Sequence, residues 1–160
     1  TLWIKDLTTG KLLPEKMERV TSAAWAPDNK TLFYATTDHA KRPFKIWRHT
    51  LGTDPTTDTL LYEEKDERFR VGAYRSRSGA YVFFPSSSHT TSEWRYLPAA
   101  TPTAEIRLVA PREPEHEYAV DHRGDLFYIM TNDKGRNNRL VTAPVADPGR
   151  AKWTASIITS

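Results

Sequence analysis

The sequence repeats itself with a period of about 46 residues, and that period leaves few folds open. Trp25 precedes an Asp28-Asn29 turn and the apolar run Leu32-Phe33-Tyr34. Tyr74 precedes Ser78-Gly79 and Tyr81-Val82-Phe83, and Val120 precedes Arg123-Gly124 and Leu126-Phe127-Tyr128. These three openings lie 49 and 46 residues apart. The second half of each unit recurs as well. Ile46-Trp47-Arg48-His49 is matched by Glu93-Trp94-Arg95-Tyr96 and by Arg139-Leu140-Val141-Thr142, with Trp47, Trp94 and Leu140 spaced by 47 and 46 residues. Leu60-Leu61-Tyr62 and Ile106-Arg107-Leu108-Val109 supply a fourth segment.

Each segment reads as a strand. The apolar runs are short, rich in Trp, Tyr, Phe, Val and Thr, and bounded by turn formers such as Pro27-Asp28-Asn29-Lys30 and Asp133-Lys134-Gly135, which tolerate the backbone angles that hairpins need. No window carries a helical apolar stripe free of Pro and Gly, and eleven scattered prolines argue further against helices. The fold class is all-β. Four strands per unit is the signature of β-propeller blades, whereas a β-sandwich shows no such self-similarity. Leu2-Trp3-Ile4-Lys5-Asp6-Leu7 and Lys11-Leu12-Leu13 read as the last two strands of a preceding blade. The expected division is therefore 1–20 as the end of one blade, then blades at 21–68, 69–115 and 116–160, the last closing with a strand over Trp153 to Ile158. Three and a half blades, with about fourteen strands, make part of a ring, since propellers close with four to eight.

Composition narrows the function. A formal charge of +3 is too slight for a basic nucleic-acid surface, and Lys41-Arg42 and the Arg136 to Arg139 stretch are too sparse to make one. No apolar run is long enough for a transmembrane helix, and no basic-then-apolar leader opens the chain, which begins Thr-Leu-Trp like a processed or excised piece. Cysteine is absent, so disulfides, thiolate metal sites and cysteine nucleophiles are excluded.

Few residues invite chemistry. None of the seven glycines frames a serine as a nucleophile elbow requires. Ser86-Ser87-Ser88-His89 sets hydroxyls beside an imidazole, but following Pro85 it reads as a polar turn. Glu115, His116, Glu117, Asp121 and His122 have metal-ligand chemistry. His116 and His122, however, stand too far apart along a strand to share an ion directly. Asn132-Asp133-Lys134-Gly135-Arg136-Asn137 lacks the alternating carboxylates of a calcium loop and reads as a hairpin turn. Glu63-Glu64-Lys65-Asp66-Glu67-Arg68 reads as a solvated connection between blades, or alternatively as a charged rim on which a partner domain docks. Trp3, Trp25, Trp47, Trp94 and Trp153 recur at blade spacing and read as core. No catalytic, cofactor-binding or metal residue is assigned, and no cofactor.

Several strings together resemble the N-terminal propeller of the prolyl oligopeptidase family of serine peptidases (peptidase S9), and within it the oligopeptidase B group. Ile46-Trp47-Arg48-His49-Thr50-Leu51-Gly52-Thr53 is similar to a family strand ending in Leu-Gly-Thr. Tyr62-Glu63-Glu64-Lys65-Asp66 resembles the acidic tract after it, and Thr91-Ser92-Glu93-Trp94-Arg95 resembles Thr-Ser-Glu-x-Arg. His116-Glu117-Tyr118, Asp121-His122-Arg123-Gly124-Asp125 and Phe127-Tyr128-Ile129-Met130-Thr131-Asn132 continue in order. The departures are Trp94, where smaller apolar residues are usual, the tail Ala155 to Ser160, and Pro85, where a lost ladder donor should end or bulge the strand.

The resemblance implies a seven-bladed propeller that is not itself catalytic. It caps the C-terminal α/β-hydrolase domain of the same polypeptide, which holds the catalytic triad and the preference for Arg and Lys, and it admits short peptides by size. No triad residue falls within these residues. The cytoplasm is the expected compartment, the periplasm the alternative; neither nucleic acid nor membrane is an expected partner. The competing expectation is an interaction module without enzymatic activity, including self-association of two copies into one seven-bladed ring.

Overall fold

The computed structural model describes residues 1–156. Among them the only helical segments are single 3-10 turns at Pro55–Thr57 and Arg150–Lys152. Strands β1 (Leu2–Lys5) and β2 (Leu12–Met17) form an antiparallel hairpin. A first sheet follows, made in sequence order from β3 (Val20–Trp25), β4 (Thr31–Thr37), β5 (Pro43–Thr50) and β6 (Thr59–Glu63). The middle sheet holds β7 (Arg70–Val71) and β8 (Tyr74–Arg75), which both pair with β9 (Tyr81–Ser87), then β10 (Ser92–Pro98) and β11 (Arg107–Leu108). The third holds β12 (Tyr118–Arg123), β13 (Leu126–Thr131), β14 (Arg139–Pro144) and β15 (Thr154–Ala155). The expected last strand ran from Trp153 to Ile158; Ile157 and Ile158 lie outside the described residues.

Local chemistry sets the turns. Asp28 accepts hydrogen bonds from the Lys30 and Thr31 amides at 2.8 and 2.9 Å, and Asn29 takes the left-handed conformation (φ 56°) that the β3–β4 turn requires. Gly124, at φ 61°, makes the tighter β12–β13 turn.

The sheets stack face to face, which explains why Tyr81-Val82-Phe83-Phe84 is apolar at every position. Val82 and Phe84 point toward the first sheet and meet Phe33, whose ring stands 5.6 Å from that of Phe84. Phe83 points the opposite way, against Phe127 of the third sheet at 5.6 Å. The hairpin packs Ile4 and Met17 against Leu32 and Tyr34. Strands alternate their faces, so a sheet enclosed on both sides needs apolar residues on both.

Two expectations fail here for physical reasons. Pro85 does not end or bulge its strand, for β9 runs through to Ser87 in one register. Its carbonyl accepts the Gly72 amide at 3.1 Å, so its missing N–H also faces the first strand. The gap is transferred there, as the break between β7 and β8, while register holds across it (Val71 opposite Ser86, Tyr74 opposite Phe83). The Ala73 amide, facing the other way, finds Ser22 Oγ of the first sheet at 3.1 Å. Nor do all five tryptophans pack in the core, as only Trp47, Trp94 and Trp153 lie against its clusters. Trp3 and Trp25 are exposed, while Trp47, Trp94 and Trp153 are half-buried at the margins of the clusters.

Candidate functional site

Because every strand reverses, the segment joining one sheet to the next and the turn between a sheet's second and third strands emerge at the same end of the stack. That end collects residues 38–42, 64–69, 88–91, 109–117 and 132–138. It carries the densest charge chemistry in the molecule.

Glu64, directly after β6, is its centre and is buried. Its carboxylate accepts from Arg112 Nη2 at 2.6 Å, Ser86 Oγ at 2.6 Å, the Tyr62 hydroxyl at 2.7 Å and the Asp66 amide at 3.1 Å. The Arg112 guanidinium also donates to Glu93 Oε1 at 3.0 Å and lies 3.9 Å over the Phe69 ring. Glu93 in turn accepts the Arg112 amide at 2.9 Å and pairs with Arg95 at 2.7 Å, and Arg95 covers the Tyr62 ring at 4.0 Å. From the β4–β5 turn, Arg42 Nη1 donates to the carbonyls of Glu64, Asp66 and Phe69 at 3.3, 3.2 and 3.1 Å. The segment read as a solvated connection is thus half wrong: Lys65, Glu67 and Arg68 are exposed, but Glu64 joins the first sheet to the middle one through a buried ion network.

The network sets the ionisation. Burial alone would raise the Glu64 carboxyl, but hydrogen bonds from Arg112, Ser86 and Tyr62 outweigh it and hold the group down at about 2. Glu93 is lowered by Arg112 in the same way, against its burial. A carboxyl lowered on folding contributes stability above its unfolded value near 4.5, and that contribution is lost as pH falls toward 2. The urea midpoint should therefore be steady near neutrality and drop steeply between those two values. Glu64→Gln should start lower and flatten that drop; an unchanged acid slope in the variant would contradict the assignment.

The residues flagged by sequence are dispersed. Ser86 is spent on Glu64, Ser88 caps its own turn by accepting the Thr91 amide at 3.1 Å, and His89 is exposed. His116 is buried at the charged end, its Nε2 bonded to Thr131 Oγ1 at 2.8 Å and its ring stacked on Tyr118. Desolvation, reinforced by Arg150, lowers its pKa. His122 sits toward the opposite end, where Nε2 donates to the Gly124 carbonyl at 2.6 Å and Nδ1 faces Ser78 Oγ at 2.7 Å. Asp121 accepts the Arg77 amide at 3.1 Å, while Glu115 and Glu117 are exposed. Among the described residues, no three His, Asp or Glu side chains gather as a metal site would require. Asp133 of the supposed calcium-like loop grips Arg139 at 2.8 Å through both oxygens.

Sequence reasoning missed Arg112 and Arg42, and it missed a second buried cluster. His49 bonds through Nδ1 to Asp58 at 2.7 Å, Asp58 accepts the Tyr34 hydroxyl at 2.5 Å, and Nε2 stands 3.8 Å from Glu15 of the hairpin. Burial and Asp58 push the Tyr34 hydroxyl's pKa up. No local signal set His49 apart, since its strand β5 also carries Lys45 and Arg48, and Asp58 lies outside the strands.

Comparison with known proteins accounts for this architecture. The family model described as "Prolyl oligopeptidase, N-terminal beta-propeller domain" matches residues 1–160. "Protease 2" of Moraxella lacunata is 38% identical over 150 residues, covering 92% of this chain and 22% of that protein. "Dipeptidyl aminopeptidase BI" of Pseudoxanthomonas mexicana is 38% identical over 156 residues, covering 96% of this chain and 21% of that protein. Among solved structures, oligopeptidase B from Leishmania major superposes with a TM-score of 0.77 at 32% identity, over 83% of this chain and 19% of that one. The chain thus spans about a fifth of the length of these relatives. With four-stranded antiparallel sheets stacked in series and a family match along its length, the chain belongs to the N-terminal β-propeller family of the prolyl oligopeptidases.

Proposed function

We propose that this chain is the non-catalytic, access-restricting part of a longer oligopeptidase B-like serine endopeptidase that hydrolyses short peptides after Arg or Lys in a C-terminal α/β-hydrolase domain. Its sheets, with the divisions 1–20, 21–68, 69–115 and 116–160, would be three and a half blades of a seven-bladed ring in a cytoplasmic enzyme. Besides the family match, one observation carries the filtering role. Successive sheets are cross-linked by buried polar contacts as well as apolar packing, through Glu64–Arg112 between the first and middle sheets and the Tyr118 hydroxyl, which donates to the Ala110 carbonyl at 2.6 Å, beyond the middle one. A wall that selects by size must not yield to the excluded substrate, and such contacts stiffen it.

The two relatives at 38% identity bear names that imply different cleavage rules, so the rule for this protein has its own test. The intact protein carrying this chain should cut an N-terminally blocked peptide after an internal Arg. Release of N-terminal dipeptides with no cleavage of the blocked peptide would transfer the reading to an aminopeptidase.

A further inference from the structure

Beside the ion network, two adjoining clefts of about 490 and 430 Å³ share Arg68, Arg70, Ser88 and His89. They open at the charged end along β7, the edge strand that begins the middle sheet, and in a propeller one of the two edge strands of each blade faces the central channel. The second cleft has an apolar floor of Val71, Gly72, Pro85 and Tyr74. Tyr74 is 54% exposed and its ring lies along the strand over Gly72, where a Cβ would stand only 2.8 Å from the ring. Glycine at that position is what lets the aromatic surface lie flat.

The cations around these clefts differ in availability. Arg68 is held by both oxygens of Asp66, and Arg112 by Glu64 and Glu93. Arg70 and His89 are exposed, and neither side chain has a hydrogen-bond or ion-pair partner among the described residues. One uncommitted guanidinium beside an imidazole matches a single planar anion, for which the guanidinium fork is suited, while the Ser88 hydroxyl is spent within its own turn on Thr91. Glu67 and Glu115 on the rim oppose anything more highly charged.

We propose that this cleft binds the carboxylate of a peptide, Arg70 pairing with the carboxylate and Tyr74 packing against the neighbouring residue. The proposal deepens the oligopeptidase reading and rests on it for the class of ligand. Such a site would anchor one end of a short peptide at the channel wall, so that chains with a carboxylate within reach are retained.

The intact protein would be given N-acetylated peptides with one internal Arg that differ only at the C-terminus: free acid, amide, and an amide ending in Glu. The free acid should show a KM roughly tenfold below the plain amide, the loss expected for one charge-assisted pair. Arg70→Gln should bring the acid to the amide's level, and Tyr74→Ala should raise KM for acid and amide alike. A KM matching the free acid for the Glu amide would mean that side-chain carboxylates are accepted too; a KM matching the plain amide would confine the site to chain ends, and either supports it. Acid and amide within twofold of each other, or a difference that survives Arg70→Gln, would overturn it. Calorimetric titration with an uncleavable analogue separates the two readings. Arg70-dependent binding without any cleavage would uphold the cleft and defeat the peptidase.

Discussion

Replacing Arg112 by methionine should destabilise the protein by about 3–5 kcal/mol, the range for removing one partner of a buried ion pair. The side chain lies between two carboxylates, Glu64 at 2.6 Å and Glu93 at 3.0 Å, and both are buried. Without the guanidinium, Glu64 keeps the Ser86, Tyr62 and Asp66 donors but loses its charge partner, and Glu93 keeps Arg95. Methionine retains much of the packing over Phe69, so most of the loss is electrostatic. Adding Glu64→Gln to Arg112→Met should recover part of it by removing the uncompensated charge. Urea denaturation of the single and double variants measures both effects. A loss below about 1 kcal/mol for Arg112→Met would show the network to be ornamental, as exposed ion pairs generally are.

Phe127→Ala should cost a comparable about 3–5 kcal/mol, here from a cavity and not a charge. Its ring is fully buried and meets Tyr81, Phe83, Tyr96 and His122, with centroids 5.1, 5.6, 5.0 and 5.9 Å away, all in edge-to-face geometry. Those partners come from β9, β10 and β12, so the residue closes the interface between the middle and third sheets. Phe127→Leu keeps most of the volume and should lose less than about 1.5 kcal/mol. The same denaturation experiment compares them; equal losses for the two variants would mean that ring geometry, not cavity volume, governs the site.

The strands and their turns were legible because their causes are local. Asp28-Asn29-Lys30, Ser78-Gly79 and Gly124 specify reversals within a few residues, and an apolar run such as Tyr81 to Phe84 records burial on both faces. The ion network was not legible, because its causes are distant. Glu64 and Arg112 are separated by 48 residues, and nothing within the run Glu63 to Arg68 distinguishes the buried acid from the exposed ones. Pro85 misled for a related reason: the cost of its missing N–H appears on a different strand, at Gly72 and Ala73. The tryptophans misled because the repeat gives their position along a blade but not their depth. Trp25 ends a first strand, its ring exposed beside the turn, while neighbouring Ala24 and Ala26 are buried.

The proposed role for this propeller is to select peptides by size for an active site elsewhere in a longer protein. Its most direct test is the rate at which the intact protein cleaves one Arg-containing sequence presented in successively longer peptides and finally within a folded domain. The predicted result is rapid cleavage of the short peptides, a steep fall with length and no cut in the folded domain. Rates independent of length, or cleavage of the folded protein at the peptide's rate, would contradict it.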